Sequence, residues 1–245
     1  MADVLRFGVD VGGSGVKGAP VDCDTGEFAG ERQRFVTPQP STPDAVTDIV
    51  VELLDRFDWK GPVGVAFPAV VRAGVVLTAA NIDQSWIGVN VEELFAKRRG
   101  VAFRVLNDAD AAGLAEVRFG AARDVDGVVL VVTLGTGIGS ALFNDGVLVP
   151  NTELGHIEIG GQDAEIKAAA RQRELGEVSW SRWTKRVDRY LHTLEDLLWP
   201  DLIVVGGGIS KNWDRFGPDL TTRTKVVPAA LRNSAGIVGA AVASP

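Results

Sequence analysis

Asn107-Asp108-Ala109-Asp110 follows the apolar run Phe103–Leu106, a strand pattern, and opens a helix. A carboxylate at such a junction has two uses. Asp108 or Asn107 could cap the helix by accepting its first free N–H groups. Asp108 could instead face a cleft and take the proton of a hydroxyl as that oxygen attacks phosphorus. Phosphoryl transfer depends on positioning and charge neutralisation more than on covalent help, so one aimed carboxylate is enough. Asp110 points elsewhere on the helix and reads as structural.

Three glycine-rich turns could receive phosphate, because backbone without Cβ atoms lets N–H groups approach an anion closely. The first is Asp10-Val11-Gly12-Gly13-Ser14-Gly15-Val16-Lys17. Here Asp10 could orient a metal ion or its waters, and Lys17 could reach a phosphate as a point charge. A tight hairpin with incidental charges would look the same. The ending is not that of a Walker A loop, and a second strand follows where a dinucleotide fingerprint needs a helix. The second turn, Gly135-Thr136-Gly137-Ile138-Gly139, adds a hydroxyl donor. The third, Gly206-Gly207-Gly208, ends an apolar strand and offers either tight packing or a flat surface for a donor's tail.

Glu153-Leu154-Gly155-His156 places a carboxylate beside one of only two histidines. Such a pair can hold vicinal hydroxyls through charge-assisted hydrogen bonds. No zinc site is expected, since no cysteine and no second histidine lies nearby. His192 falls within a helical pattern and reads as a surface or packing residue. Trp86, after Asn81, suits either a ring-stacking role or the core.

The positioning elements follow from periodicity. Residues 4–11 and 16–21 read as a hairpin, 63–67 as a buried strand, 91–98 as a short helix and 103–106 as another strand. A helix over about 44–57 is capped by Ser41 or Thr42. The pattern restarts with an apolar strand over 127–134, then 140–143 and 147–149. Apolar residues at three- and four-residue steps predict an amphipathic helix over about 181–199. A strand over 202–205 and a small-residue helix over 235–243 complete the series. Two strand–turn–strand units suggest a duplicated α/β architecture: a smaller lobe over 1–106, onto which the helix of about 234–245 packs back, and a larger lobe over 107–233.

Bulk properties narrow the function classes. The 245 residues are 46% apolar and carry a net charge of −7, which disfavours general nucleic-acid binding. Charge is uneven: residues 1–165 sum to −11 and residues 166–245 to +4. Solvated helices or a surface for an extended polyanion would each produce this. No apolar run is long enough for a membrane helix, the start has no signal-peptide pattern, and the single cysteine, Cys23, allows no internal disulfide. A cytoplasmic protein with no membrane partner is expected.

In order and spacing, DVGGSGVKG, NDADAA, LGTGIGSAL, ELGH and IVVGGGIS resemble the ROK family of sugar kinases. The resemblance covers nearly the whole chain and implies a two-lobed actin-like ATPase (ribonuclease H-like) α/β fold with its active site in the interdomain cleft. It implies Asp108 as base and Asn81, Asn107, Glu153, His156 and Glu165 as sugar ligands, with Glu158 the competitor of Glu165. It implies a donor held by Asp10, Gly12, Gly13, Ser14, Gly15, Lys17, Gly135, Thr136, Gly137, Gly207 and Gly208, Mg²⁺ at Asp10, and a homodimer. The family's cysteine-rich zinc motif is missing: His156 is followed by Ile157-Glu158-Ile159-Gly160-Gly161-Gln162-Asp163-Ala164-Glu165. That loss, and the sequence beyond it, resemble the branch of actinobacterial polyphosphate glucokinases, implying glucose as acceptor and polyphosphate, with or instead of ATP, as donor. Lys167, Arg171, Arg182, Lys185, Arg186, Lys211 and Arg215 could then line a polyphosphate path. Phe67-Pro68-Ala69 departs from the family's usual Pro-Gly and leaves the sugar's identity more open. The rivals are an ATP-dependent hexose kinase and a non-catalytic sugar sensor; the expected helix-turn-helix of a sensor does not precede the first strand.

Overall fold

A computed structural model describes residues 5–176 and 178–245. Val4, read above as the first strand residue, lies outside the described residues. The chain divides into two compact units, Met1–Ala115 with Ser234–Pro245, and Glu116–Asn233.

The first unit contains β1 (Leu5–Gly12), β2 (Gly15–Asp22), β3 (Gln33–Phe35), α1 (Pro43–Arg56), β4 (Val63–Phe67), the two-residue strands β5 (Val71–Arg72) and β6 (Val75–Val76), α2 (Val91–Arg99) and β7 (Phe103–Asn107). Its sheet runs β3-β2-β1-β4-β7, antiparallel through the first three strands and parallel through the last three. Residue choice explains the elements. All five residues of β4 are buried, as an apolar run in a sheet covered on both faces must be. α1 starts where Thr42 accepts a hydrogen bond from the Ala45 N–H and Pro43 takes the first turn. It buries Val46, Val50, Leu53 and Leu54, each contributing about 1.5–3 kcal/mol. α2 ends at Gly100, whose φ of +78° suits glycine.

α3 (Asp108–Phe119) crosses the division between the units. The second unit then holds β8 (Val128–Leu134), β9 (Ile138–Asn144), β10 (Val147–Val149), α4 (Ala164–Ala168), α5 (Ala170–Glu174), α6 (Trp180–Leu198), β11 (Leu202–Gly206) and β12 (Val226–Pro228). The sheet order is β10-β9-β8-β11-β12, again antiparallel then parallel. α6 is capped by Ser179, whose hydroxyl accepts from the Arg182 N–H at 3.3 Å. Its buried stripe, Trp183, Val187, Tyr190, Leu191 and Leu194, covers the sheet as the periodicity required.

α7 (Ala235–Ala243) belongs to the first unit. It lies so close to the sheet that a Cβ on Gly8 would fall on the Ile237 carbonyl oxygen, and one on Gly64 on that of Ala240. Only small residues allow this approach. Trp86 is fully buried, donates its indole N–H to the Ser41 carbonyl at 2.8 Å and meets Phe67 edge to face. Of its two sequence readings, the core one is correct.

Candidate active site

In the first unit, the candidate residues stand at the carboxyl ends of parallel strands and at the β1–β2 turn. Asn107 ends β7 and is buried; its side-chain oxygen accepts from the Ala109 and Asp110 N–H groups at 2.8 and 3.2 Å. It is therefore the helix cap, and its amide nitrogen donates to the Ala69 carbonyl at 3.2 Å. Asp108 comes next, exposed at the first position of α3, with one oxygen 2.9 Å from the Ala109 nitrogen. Capping by Asn107 leaves Asp108 at the positive end of the helix, where a carboxylate is favoured. Asp110 is 1% exposed.

At the hairpin, Gly12 pairs with Gly15 and leaves Gly13 and Ser14 as the turn. Asn81 is exposed, with its carbonyl oxygen near the place a Gly13 Cβ would take, at 3.8 Å. Asp10 faces Lys17 across the ladder, 3.2 Å from carboxylate oxygen to amine. Lys17 in turn faces Arg34 on β3, and the Arg34 guanidinium donates to the Ser14 carbonyl at 3.0 Å. It lies over Gly15, 2.7 Å from where a Cβ would stand. The Thr37 hydroxyl donates to the Gly12 carbonyl at 2.5 Å. Sequence reading missed Arg34 and Thr37, because β3 is three residues long and Thr37 follows it in irregular structure, so neither carries a periodicity.

Among the described residues no cluster of three or more His, Cys, Asp or Glu side chains could hold a metal ion. Asp10 therefore offers one carboxylate, 20% exposed, with Lys17 on a single oxygen. That donor set fits Mg²⁺, which commonly binds one or two carboxylates and completes its shell with substrate phosphates and water.

In the second unit, β8 and β11 are parallel neighbours, with Gly206 opposite Thr133. Both strands end in glycine turns, and these touch: a Cβ on Gly207 would fall on the Leu134 carbonyl oxygen, while its φ of +82° itself favours glycine. Gly208 and Gly135 meet nothing within 4 Å of a built Cβ, so backbone is open there. Thr136 lies between Gly135 and Gly137 in the β8–β9 turn, closed by the Gly135 N–H to the Gly137 carbonyl at 3.0 Å.

Glu165, from α4, accepts the Ile138 N–H at 2.9 Å and occupies the space a side chain on Gly137 would need. Ser140 and Thr152 brace the next segment. The Ser140 hydroxyl donates to the Thr152 carbonyl at 2.5 Å and accepts from the Leu154 N–H at 3.0 Å. This holds Glu153 and His156, with His156 Nε2 3.9 Å from a Glu153 carboxylate oxygen. His156 Nδ1 also meets Asp163 at 3.1 Å. Asp163 was not read from sequence; it sits across a turn through Gly160 and Gly161, both at positive φ, where it pairs with Glu158. Glu158 is exposed.

Burial pushes the Glu153 carboxyl up from its ordinary value; His156 pulls it down and Glu165 adds to the rise. Tyr190 is fully buried, and its hydroxyl has no partner among the described residues. Burial, then Glu165, raises its ionisation well above the ordinary range. Glu153, His156 and Glu165 thus form one polar group beside the Gly135–Gly137 turn, and sequence spacing alone did not link them to Tyr190 and Asp163.

A model of the ROK family matches residues 6–168. A polyphosphate glucokinase from Mycobacterium tuberculosis is 53% identical over 239 residues, covering 97% of this chain and 90% of the relative. One from Mycobacterium leprae is 49% identical over 97% of this chain and 74% of its own length. Among solved structures, an inorganic polyphosphate/ATP-glucomannokinase from Arthrobacter sp. strain KM superposes with a TM-score of 0.92 at 49% identity, covering 97% of each chain. A ROK family glucokinase from Streptomyces griseus shares the fold, with a TM-score of 0.84 at 24% identity over 98% of this chain and 99% of that one. The chain belongs to the ROK family of sugar kinases, with their actin-like ATPase fold.

Proposed function

We propose that the protein is a polyphosphate-dependent glucokinase, moving the terminal phosphoryl group of inorganic polyphosphate to the 6-hydroxyl of glucose. The observation that carries this is the likeness to the M. tuberculosis polyphosphate glucokinase across 97% of the chain, which takes in the cation-rich segment after residue 165.

In this reading Asp108 accepts the 6-hydroxyl proton as that oxygen bonds to the terminal phosphorus. The bridging P–O bond breaks, and the bridging oxygen leaves on the shortened chain. Asn81, Asn107, Glu153, His156 and Glu165 hold the sugar; Asn107 has one amide hydrogen left after its bond to Ala69. His156, turned by Asp163, donates to a hydroxyl while Glu153 accepts from one. The glycine turns at Gly12–Gly15, Gly135–Gly137 and Gly207–Gly208 present backbone N–H groups to the donor, with Thr136, Lys17 and Arg34 adding side-chain donors. Asp10 would hold Mg²⁺, which supplies neutralisation of phosphate charge. The enzyme works in the cytoplasm as a homodimer, with glucose and polyphosphate, not nucleic acid or membrane, as its partners.

ATP is a second donor in this reading, as the Arthrobacter relative's name pairs the two. The test is glucose 6-phosphate formation by purified protein with Mg²⁺ and either donor. Turnover with polyphosphate is expected to exceed that with ATP. Turnover with ATP alone would replace this reading with an ATP-dependent glucokinase; binding of glucose without turnover would make the protein a sugar sensor.

A further inference from the structure

Trp180, the first residue of α6, carries two arginines. The guanidinium carbons of Arg173 and Arg215 each lie 4.8 Å from its ring centroid. Two like charges are thus gathered on one ring, no more than two such distances apart. Neither arginine forms an ion pair among the described residues, although Glu174 and Asp214 are their chain neighbours. A second observation is independent of charge. Arg173 Nε and Trp180 Nε1 are both shielded from solvent and both lack an acceptor among the described residues. Buried donors without acceptors carry a desolvation cost, and paired cations without an anion repel. An oxygen-rich anion relieves both.

The cluster is also tied to the donor turns. α5, which carries Arg173, is anchored by the Arg171 N–H to the Gly135 carbonyl at 3.1 Å. The helical turn Gly208–Arg215, which carries Arg215, is anchored where Ser210 donates its hydroxyl to the Gly207 carbonyl at 2.8 Å. Two segments anchored at the adjacent ends of β8 and β11 therefore meet at Trp180. Phe216 braces the ring from below, stacked at 6.4 Å and 7°.

We infer that Arg173, Trp180 and Arg215 form a binding site for the distal phosphates of the polyphosphate donor, beyond the group being transferred. The inference rests on the polyphosphate reading above and sharpens it. Planar guanidinium forks suit phosphate oxygens in pairs, and the indole holds them in place before the ligand arrives. Of the three, Arg215 was among the cations expected from sequence to line such a path, and Arg173 was not.

The test compares wild type, Arg173→Gln, Arg215→Gln and the double variant on long-chain polyphosphate and on tripolyphosphate, with Arg123→Gln as an exposed control. Each single substitution is expected to raise KM for the long chain about tenfold. The double variant is expected to lose most of the preference for long over short chains and to show a weaker salt dependence of KM. Arg173→Lys keeps the charge without the planar fork and is expected to recover only part of the affinity. A double variant that is folded by circular dichroism and retains the wild-type long-chain KM would overturn the inference alone. Absence of polyphosphate turnover in wild type would overturn it together with the polyphosphate reading. Should the double variant unfold, the single variants decide: a long-chain KM unchanged in both overturns the inference.

Discussion

The two units build their sheets in the same strand order, a three-stranded antiparallel meander followed by two parallel strands, and both open a glycine turn at the first hairpin. They differ in where the charged side chains beside that turn come from. In the first unit the sheet supplies it: Asp10, Lys17 and Arg34 form one row across three neighbouring strands beside the turn. In the second unit the corresponding strands carry no charged side chain, and α4 reaches over to place Glu165 on the turn. Both units place a glycine turn at the same point of the sheet; the side chains around it come from whichever segment each unit packs beside it.

Six substitutions probe that contrast, from the largest expected effect to the smallest. Asp108→Asn, in the first unit, is expected to lower kcat by about 10³-fold, within the range for a lost general base. Steady-state assay checks it, and a loss below tenfold would move the base elsewhere. Gly64→Val forces a side chain into the Ala240 carbonyl and is expected to cost about 3 kcal/mol, measured by urea unfolding. Gly155→Ala meets the Ile138 carbonyl in the second unit and tests whether that unit is equally intolerant.

Glu165→Gln and Glu165→Ala separate two roles of one residue. The glutamine can still accept the Ile138 N–H, so stability should hold while KM for glucose rises about tenfold. The alanine leaves that donor unpaired and should cost a further 1–3 kcal/mol, roughly, of stability.

The smallest effect concerns Glu153, whose carboxyl is raised chiefly by burial. A carboxyl raised on folding binds more protons folded than unfolded, so it costs stability at neutral pH and regains it as pH falls through the raised value. Glu153→Gln should therefore melt no lower than wild type at pH 7, lose that advantage below the ordinary carboxylate range, and bind glucose less tightly throughout. Calorimetry at both pH values, beside glucose titration, decides it; a variant less stable at neutral pH would contradict the assignment.

Strands and helices with strong periodicity were legible in the sequence. β4, α6 and α7 fall within a residue of their expected ranges because burial on a fixed face leaves a repeating mark. What escaped lies in short segments. β3 is three residues long, so Arg34 had no pattern to place it over Gly15. α4 and α5 are five residues each, too short for a helical period, and hid the link between Arg171 and Gly135. The ELGH segment announced Glu153 and His156, but Asp163 reaches His156 only through a turn made by two glycines at positive φ. Of the two cap candidates the sequence offered, Asn107 and Asp108, the structure makes Asn107 the cap, and this leaves Asp108 at the start of α3.

α7 follows the whole second unit in the chain, yet it is the lid of the first unit's sheet. On the ribosome this reverses the order of completion. The strands β1 and β4 emerge early with one apolar face bare, and the second unit can close its own core while they wait. Sealing comes only after residue 243 has cleared the exit tunnel. A nascent chain stalled before α7 should accordingly expose the first sheet to chaperones and proteases, and glucose phosphorylation should begin only once α7 has docked.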